Sequence, residues 1–364
     1  MNVIVIGAGV VGCAVGYELA ARGARVRLLD MRDVGRGATR ASAGVLCPHI
    51  EGHAAPLLQL GARSLAMYDE FVAHVSHDAR RPVEYRRTGT LEIAVTDEEA
   101  VRLKELAVRH ARGGVEHRFL DRREALDLEP ALSEEITGAL YVPVHGYVGV
   151  EGFTNALAAA SEARGATIER AATVRAVTGS TSGVQVTTEA SLIEADAAVV
   201  AAGCWSGGIA VGLAQPPVRP IRGQLLHLEL PEAVASRVIW GADCYMVPWE
   251  DGSVLVGATV EDVGFDEGAT VAGVHDLIEY ACDLLPPIWS ARFREVRVGL
   301  RPATGDELPI IGRSSTEPGV FYATGHYRNG VLLAPFTAAA VADLVLNGRE
   351  APELAITDPR RFGL

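Results

Sequence analysis

Residues 2–30 read NVIVIGAGVVGCAVGYELAARGARVRLLD, and this stretch decides the fold. Val3 to Ile6 form a short β-branched run with strand character. Gly7, Gly9 and Gly12 follow in the pattern G-x-G-x-x-G, an Ala-rich helical pattern runs from Val10 to Arg22, and Gly23 ends it. A second strand, Arg25 to Leu29, finishes on Asp30, eighteen residues beyond Gly12. Each part has a physical role in a βαβ dinucleotide site. Gly7 turns the chain off the strand, Gly9 lets a pyrophosphate approach the backbone at the helix N-terminus, and Gly12 lets helix and sheet pack closely. Asp30 is placed to accept from ribose hydroxyls. Gly16 keeps the same helix face small.

Working outward, the 364 residues suffice for two domains or one domain with a large insertion. An apolar content of 49% with 22% charged residues is that of a soluble globular protein. The net charge of −13 disfavours nucleic acid and anionic membranes as partners. Cys13, Cys47, Cys204, Cys244 and Cys282 are scattered, with no C-x-x-C spacing. That set argues against a disulfide framework or a metal site and suits a reducing compartment. No basic leader precedes the first strand and no apolar run has the length of a membrane span, so the expected location is the cytoplasm.

After Asp30, the stretch MRDVGRGATRASAGVLCPHIEG (31–52) reads as a loop entering a small-residue helix. Thr39, Arg40 and Ser42 are candidate phosphate donors there. Pro56 to Val75 has helical spacing, with Leu57, Leu60, Leu65, Met67, Tyr68 and Phe71 as its core stripe. Strands are expected over Val83–Val95, and a charged, solvated helix over Asp97–Gly113. An Ala-rich helix from Phe153 to Arg164 leads into ATIERAATVRAVTG (166–179), read as one strand, its partner GVQVTTE (183–189), and the buried strand ADAAVVAAG ending at Gly203. This second βαβ-like passage makes the nucleotide domain discontinuous. From Pro216 the texture is antiparallel, with Asp251-Gly252 as a hairpin turn, before a helix over Val271–Leu285. Strand, glycine-rich loop and helix follow over 319–348.

Several of these stretches carry a resemblance. GAGVVG with Asp30, ASAGVL (41–46), VVAAGCWS (199–206), GLRPATGDELPIIG (299–312) and YATGHYRNGVLLAP (322–335) together resemble the flavin-dependent amine oxidase family of D-amino acid, sarcosine and glycine oxidases. The likeness runs in order along the chain and is greatest to the glycine oxidase branch of the thiamine-biosynthesis type. It implies an α/β (α+β) fold: a Rossmann-like FAD-binding domain (1–83, 142–217 and 297–364) with a discontinuous antiparallel-sheet substrate domain (84–141 and 218–296). Carried over by position, Val10, Val11, Asp30, Met31, Thr39, Arg40, Ala43, Gly44 and Val45 fall where such enzymes touch FAD, with Gly7, Gly9, Gly12 and Gly203 in the turns. Val174 matches a backbone contact to the adenine. His326, Tyr327, Arg328, Asn329, Gly330, Val331 and Leu332 match the loop around the flavin's pyrimidine edge. The FAD is expected to be non-covalent, because no cysteine follows Gly325 at the tethering position.

Tyr245, Arg301 and Arg328 match the residues around the substrate carboxylate, and the resemblance counts Arg301 among the FAD-binding positions too. The chemistry agrees independently: a guanidinium forks a carboxylate, and a tyrosine hydroxyl adds an uncharged donor. The resemblance implies oxidative deamination of glycine, sarcosine or small D-amino acids, with O2 reduced to hydrogen peroxide, and a homotetramer. Val45, where relatives often carry methionine, Cys244, and the surroundings of Cys47 and His49 depart from the pattern. These departures open a second reading, an oxidase or dehydrogenase for an N-substituted glycine or D-amino acid. A reading from another class is a nicotinamide-dependent dehydrogenase or a non-catalytic nucleotide-binding protein.

Overall fold

The computed structural model describes residues 1–50, 55–230 and 235–364. A six-stranded sheet holds the amino-terminal stretch. Its order is Ile310–Arg313, Val320–Thr324, Ala197–Val200, Asn2–Ile6, Arg25–Leu29, Thr167–Glu169, and every pairing is parallel except the first. Asn2–Ile6 lies where the strand order reverses, the crevice at which open parallel sheets bind ligands beyond their carboxyl ends.

The helix Val10–Ala21 packs between helices Val150–Ala163 and Ala334–Asn347. Its small residues make this possible. A Cβ on Gly16 would lie 3.0 Å from the Leu28 methyls, and one on Gly12 only 1.9 Å from the Gly7 carbonyl oxygen. Val3, Val5 and Leu28 are fully enclosed there; burial of each such side chain contributes about 1.5–3 kcal/mol. The expected stripe on the next helix, Ala55–Ala79, faces this core, with Met67 at its half-buried margin.

A second, eight-stranded sheet takes its strands from 90–94, 118–142, 219–257 and 292–303. It is antiparallel except where Val238–Trp240 meets Thr90–Ala94. The Asp251-Gly252 hairpin joins Tyr245–Pro248 to Ser253–Gly257 as expected, with Gly252 at φ +83°. The charged helix Asp97–Arg112 begins on a reciprocal cap, Thr96 with Glu99, which fixes its start. Among the described residues, no helix is long and apolar enough to cross a membrane.

One expectation fails. Residues 166–179 form two strands: Thr167–Glu169 edges the nucleotide sheet, and Val174–Ser180 joins a four-stranded sheet with 183–188, 192–195 and 210–211. The break lies at Ala171, held at φ +56°, where the Ala172 N–H donates to the Asp30 carbonyl at 2.9 Å. Neither glycine nor proline marks it.

Candidate active site

The switch-point crevice opens into a cavity of about 550 Å3. Its floor is backbone. Gly7, Gly9, Val10 and Val11 line one side, and Gly7 stands at φ +109°, where a Cβ would fall 2.4 Å from the Ala201 carbonyl oxygen. The helix N-terminus above them has no acidic residue in its first turn and no side-chain cap on Gly9. An anion is the complement of that arrangement. Thr39, in the short 3-10 helix Ala38–Ala41, accepts from the Val10 N–H at 3.0 Å and keeps its own proton to donate.

Asp30 lines the cavity at the next strand end and accepts from the N–H groups of Ala8 at 2.6 Å and Arg32 at 2.7 Å. Burial raises its pKa, and these two donors oppose the shift. Each carboxylate oxygen keeps acceptor capacity toward the cavity. Met31, Ala43, Gly44, Val45, Val174 and Gly203 complete this half. A Cβ on Gly44 would strike the Val148 carbonyl at 1.9 Å, so the chain passes here only as glycine, at φ +75°.

The opposite wall comes from the eight-stranded sheet and the loop before the last helix. Tyr245 stacks on Trp240 with ring centroids 4.9 Å apart, and both line the cavity. Arg301 lies against Gly223, where a Cβ would meet its guanidinium carbon at 2.4 Å. Its Nη1 donates to the carbonyls of Thr259 at 2.9 Å and Arg222 at 3.3 Å. His326, Tyr327, Arg328, Gly330 and Val331 form the loop side. Tyr327 is left-handed, at φ +48°, and its N–H donates to the Pro302 carbonyl at 2.7 Å, which ties the loop to the Arg301 strand. His326 bonds Thr337 Oγ1 at 3.1 Å, and burial pushes its pKa down to about 3, so its imidazole is neutral at pH 7. Arg328 is exposed, with its guanidinium near the Tyr327 ring, at the cavity mouth.

Four expected contact residues do not line the cavity. Gly12 lies beneath the turn, against the Gly7 carbonyl. Asn329 braces the loop from behind, its N–H to the His326 carbonyl at 2.8 Å and its carbonyl receiving the Leu333 N–H at 2.8 Å. Leu332 belongs to the core. Arg40 points away and pairs with Glu295 at 2.9 Å. Sequence reasoning missed Trp205, which lines the cavity beneath the Arg32 guanidinium at 4.3 Å, and Trp240 behind Tyr245. Position within VVAAGCWS was the available signal for the first. Cys47 and Cys244 are buried, as expected of small core residues, and burial pushes the Cys244 thiol up to about 12.

The donor set suits a flavin dinucleotide: a side-chain-free cradle under a helix N-terminus for the pyrophosphate, a carboxylate at ribose distance along the strand ends, and a backbone loop at a second helix start. Comparison with known proteins agrees. Residues 2–344 match the family described as DAO, FAD dependent oxidoreductase. The glycine oxidase of Geobacillus kaustophilus is 34% identical over 363 residues, covering 97% of this chain and 95% of that one. The bifunctional protein ThiO/ThiG of Nostoc sp. is 35% identical over 97% of this chain, which spans only 54% of that relative, about half its length. A crystal structure of glycine oxidase from Geobacillus kaustophilus superposes with a TM-score of 0.93 at 32% identity, over 98% of this chain and 97% of the other.

Proposed function

The chain belongs to the FAD-dependent oxidoreductase family, and from that premise we propose that it deaminates glycine and small amines such as sarcosine or small D-amino acids. Family membership sets aside the nicotinamide-dependent and non-catalytic readings of the sequence. One observation carries the proposal: Arg301, Tyr245 and Arg328 converge on the same cavity that the dinucleotide turn lines.

Gly7, Gly9 and Asp30 would hold the dinucleotide, and the 326–331 loop the flavin's pyrimidine edge. When bound, FAD would supply the two-electron acceptor for the hydride leaving the substrate's α-carbon, with O2 as the final acceptor and hydrogen peroxide as its product. Arg301 binds the substrate carboxylate through the guanidinium nitrogens that Nη1 leaves over, and the Tyr245 hydroxyl adds a third donor. Arg328, at the mouth, draws the anionic end inward. Burial makes the His326 imidazole a poor base and keeps the Cys244 thiol protonated, so neither is suited to take a proton from the substrate, and the amine binds with its lone pair free. Water then hydrolyses the substrate imine to a 2-oxo acid, glyoxylate from glycine, and ammonia. The chain's contribution is orientation and electrostatics.

We assign the FAD-binding unit to 1–83, 142–217 and 297–364, and the substrate unit to the rest. We also place the enzyme in the cytoplasm, in thiamine biosynthesis, as a homotetramer. A second reading, an N-substituted glycine as substrate, is favoured by Val45, whose short side chain shares an apolar cluster with Trp240, Tyr245 and Ala258 on the cavity wall. Anaerobic addition of glycine, sarcosine, N-ethylglycine, D-alanine, D-proline and bulkier N-substituted glycines to the purified flavoprotein tests both. Rapid bleaching of the flavin absorbance by glycine and sarcosine is the expected result. Bleaching by a bulky amine alone moves the substrate to the second reading, and a protein that no amine bleaches defeats both.

A further inference from the structure

The seat of Arg301 is two backbone carbonyls, and a charge network around the buried Arg222 fixes both. Arg222 and Glu261 exchange backbone hydrogen bonds at 2.8 and 3.0 Å. Their side chains also pair, Arg222 Nη2 to a Glu261 carboxylate oxygen at 2.5 Å. Arg222 is 3% exposed, and its Nη1 donates further to Asp266 at 2.6 Å and to the Gly268 carbonyl at 2.9 Å. The other Glu261 oxygen accepts from Thr259 Oγ1 at 2.6 Å and from the Gln224 side chain at 2.8 Å. Thr259 Oγ1 in turn accepts the Gln224 N–H at 2.9 Å. Partial burial would raise the Glu261 carboxyl, but the Arg222, Gln224 and Thr259 donors outweigh it and hold it down at about 2, so it is an anion at pH 7.

Glu261 therefore grips Thr259 through its hydroxyl and Arg222 through its guanidinium, the two residues whose carbonyls receive Arg301 Nη1. Among the described residues, no carboxylate pairs with Arg301 itself, and Nη1 alone is engaged. Two neutral carbonyls orient its guanidinium without neutralising it, which leaves the charge for an incoming anion. A carboxylate in direct contact would orient Arg301 equally well and cancel its attraction for substrate.

We propose that Glu261, acting with Arg222 through Thr259, is a positioning residue that aims Arg301 at the substrate carboxylate. This rests on the reading of Arg301 as the carboxylate clamp. The holoenzyme is titrated with glycolate, a carboxylate without the reactive amine, followed by the perturbation of the flavin spectrum. Glu261→Ala is expected to raise the glycolate dissociation constant about tenfold, with KM for the amino acid rising more than kcat falls. Glu261→Gln, which keeps the hydrogen-bonding shape, recovers part of that loss. In the double variant Glu261→Ala/Arg301→Ala, the first change adds nothing to the second, because it acts only through the missing guanidinium.

Four outcomes overturn the proposal. Glycolate bound by Glu261→Ala as tightly as by wild type removes the role outright. Losses of equal proportion in FAD content and melting temperature, with no shift of KM relative to kcat, make the network structural only, and Thr259→Val, which cuts one link and leaves the Arg222 pair intact, then shows wild-type glycolate affinity. Additive effects in the double variant show that Glu261 does not act through Arg301. Unchanged affinity in Arg301→Ala defeats the clamp itself and this inference with it, an outcome distinct from failure at Glu261 alone.

Discussion

The two halves of the cavity are made of different material. The half against the parallel sheet is largely backbone: Gly7, Gly9 and Gly44 bring main chain to its surface, with Asp30, Thr39 and Arg32 among the polar side chains at its margin. The half against the eight-stranded sheet is side chain upon side chain, with Tyr245 on Trp240, and Arg301 on carbonyls held by Arg222, Thr259 and Glu261. A site of backbone tolerates almost no added atom, yet depends little on charge. A site of paired side chains survives added volume better and fails when one partner is removed.

The largest expected effect breaks the backbone half. In Gly12→Ala the new Cβ meets the Gly7 carbonyl oxygen at 1.9 Å, with no flexible side chain to yield. Helix and turn must separate, at a cost of about 3 kcal/mol or more. We expect a protein that purifies colourless or fails to accumulate, read from the ratio of flavin to protein absorbance. A yellow, stable Gly12→Ala protein would show that the turn adapts, and the contrast between the halves would lose its basis.

Arg301→Ala is the counterpart in the other half. It removes charge and leaves the dinucleotide cradle untouched, so FAD content should stay at the wild-type level. KM for glycine should rise about a hundredfold, the loss of a charge-assisted bidentate contact. Steady-state kinetics on the yellow protein checks both parts at once. Loss of flavin together with substrate affinity would mean that the two halves are one unit.

The seam between the halves carries its own test. His49, just beyond the cavity-lining segment, meets His145 at 2.8 Å, and His110 of helix Asp97–Arg112 packs edge-on against His49. Burial first, then the neighbouring imidazoles with Arg87, Arg109 and His117, lowers the pKa of His145 far below the ordinary value and that of His110 to about 4; burial alone lowers His49. Unfolded, each imidazole takes up its proton near pH 6.5. The folded state resists protonation, so stability is intact above that value and is lost as pH falls from 6.5 through 4. Each proton taken up on unfolding contributes a slope of about 1.4 kcal/mol per pH unit. Denaturant titrations across this range should show more than one proton per chain, and His110→Gln should flatten the slope. An unchanged slope in that variant would take the cluster out of the account.

How far the sequence was legible follows the same division. A backbone site writes itself locally, because only glycine satisfies the turn and its spacing is fixed by helix geometry; Gly7, Gly9, Gly12 and Asp30 fall within one continuous stretch. The charge network does not. Arg222 and Glu261 lie 39 positions apart and meet only through strand pairing, so neither reads as more than a surface charge. Family likeness supplied Tyr245, Arg301 and Arg328, whose residue types alone allow many roles. The split of 166–179 was illegible for a third reason: an alanine in the left-handed region leaves no compositional mark.

Arg40 marks the boundary of what pattern alone can assign, and the smallest effect belongs to it. Its place in an arginine-bearing loop beside the dinucleotide turn argues for phosphate contact, and the loop is indeed at the cavity. But the preceding residue, Thr39, turns inward to the Val10 N–H, and the tight 3-10 turn sends the next side chain out to Glu295. That pair is exposed, 46% and 34% for its two side chains, so water screens most of its energy. Arg40→Gln should change stability by no more than about 0.5 kcal/mol and leave FAD affinity, measured by flavin fluorescence on reconstitution of apoprotein, within twofold. A tenfold weaker affinity would mean that Arg40 swings from Glu295 to the pyrophosphate when the cofactor binds, and a side-chain cation would then share the work of the backbone N–H groups at the turn.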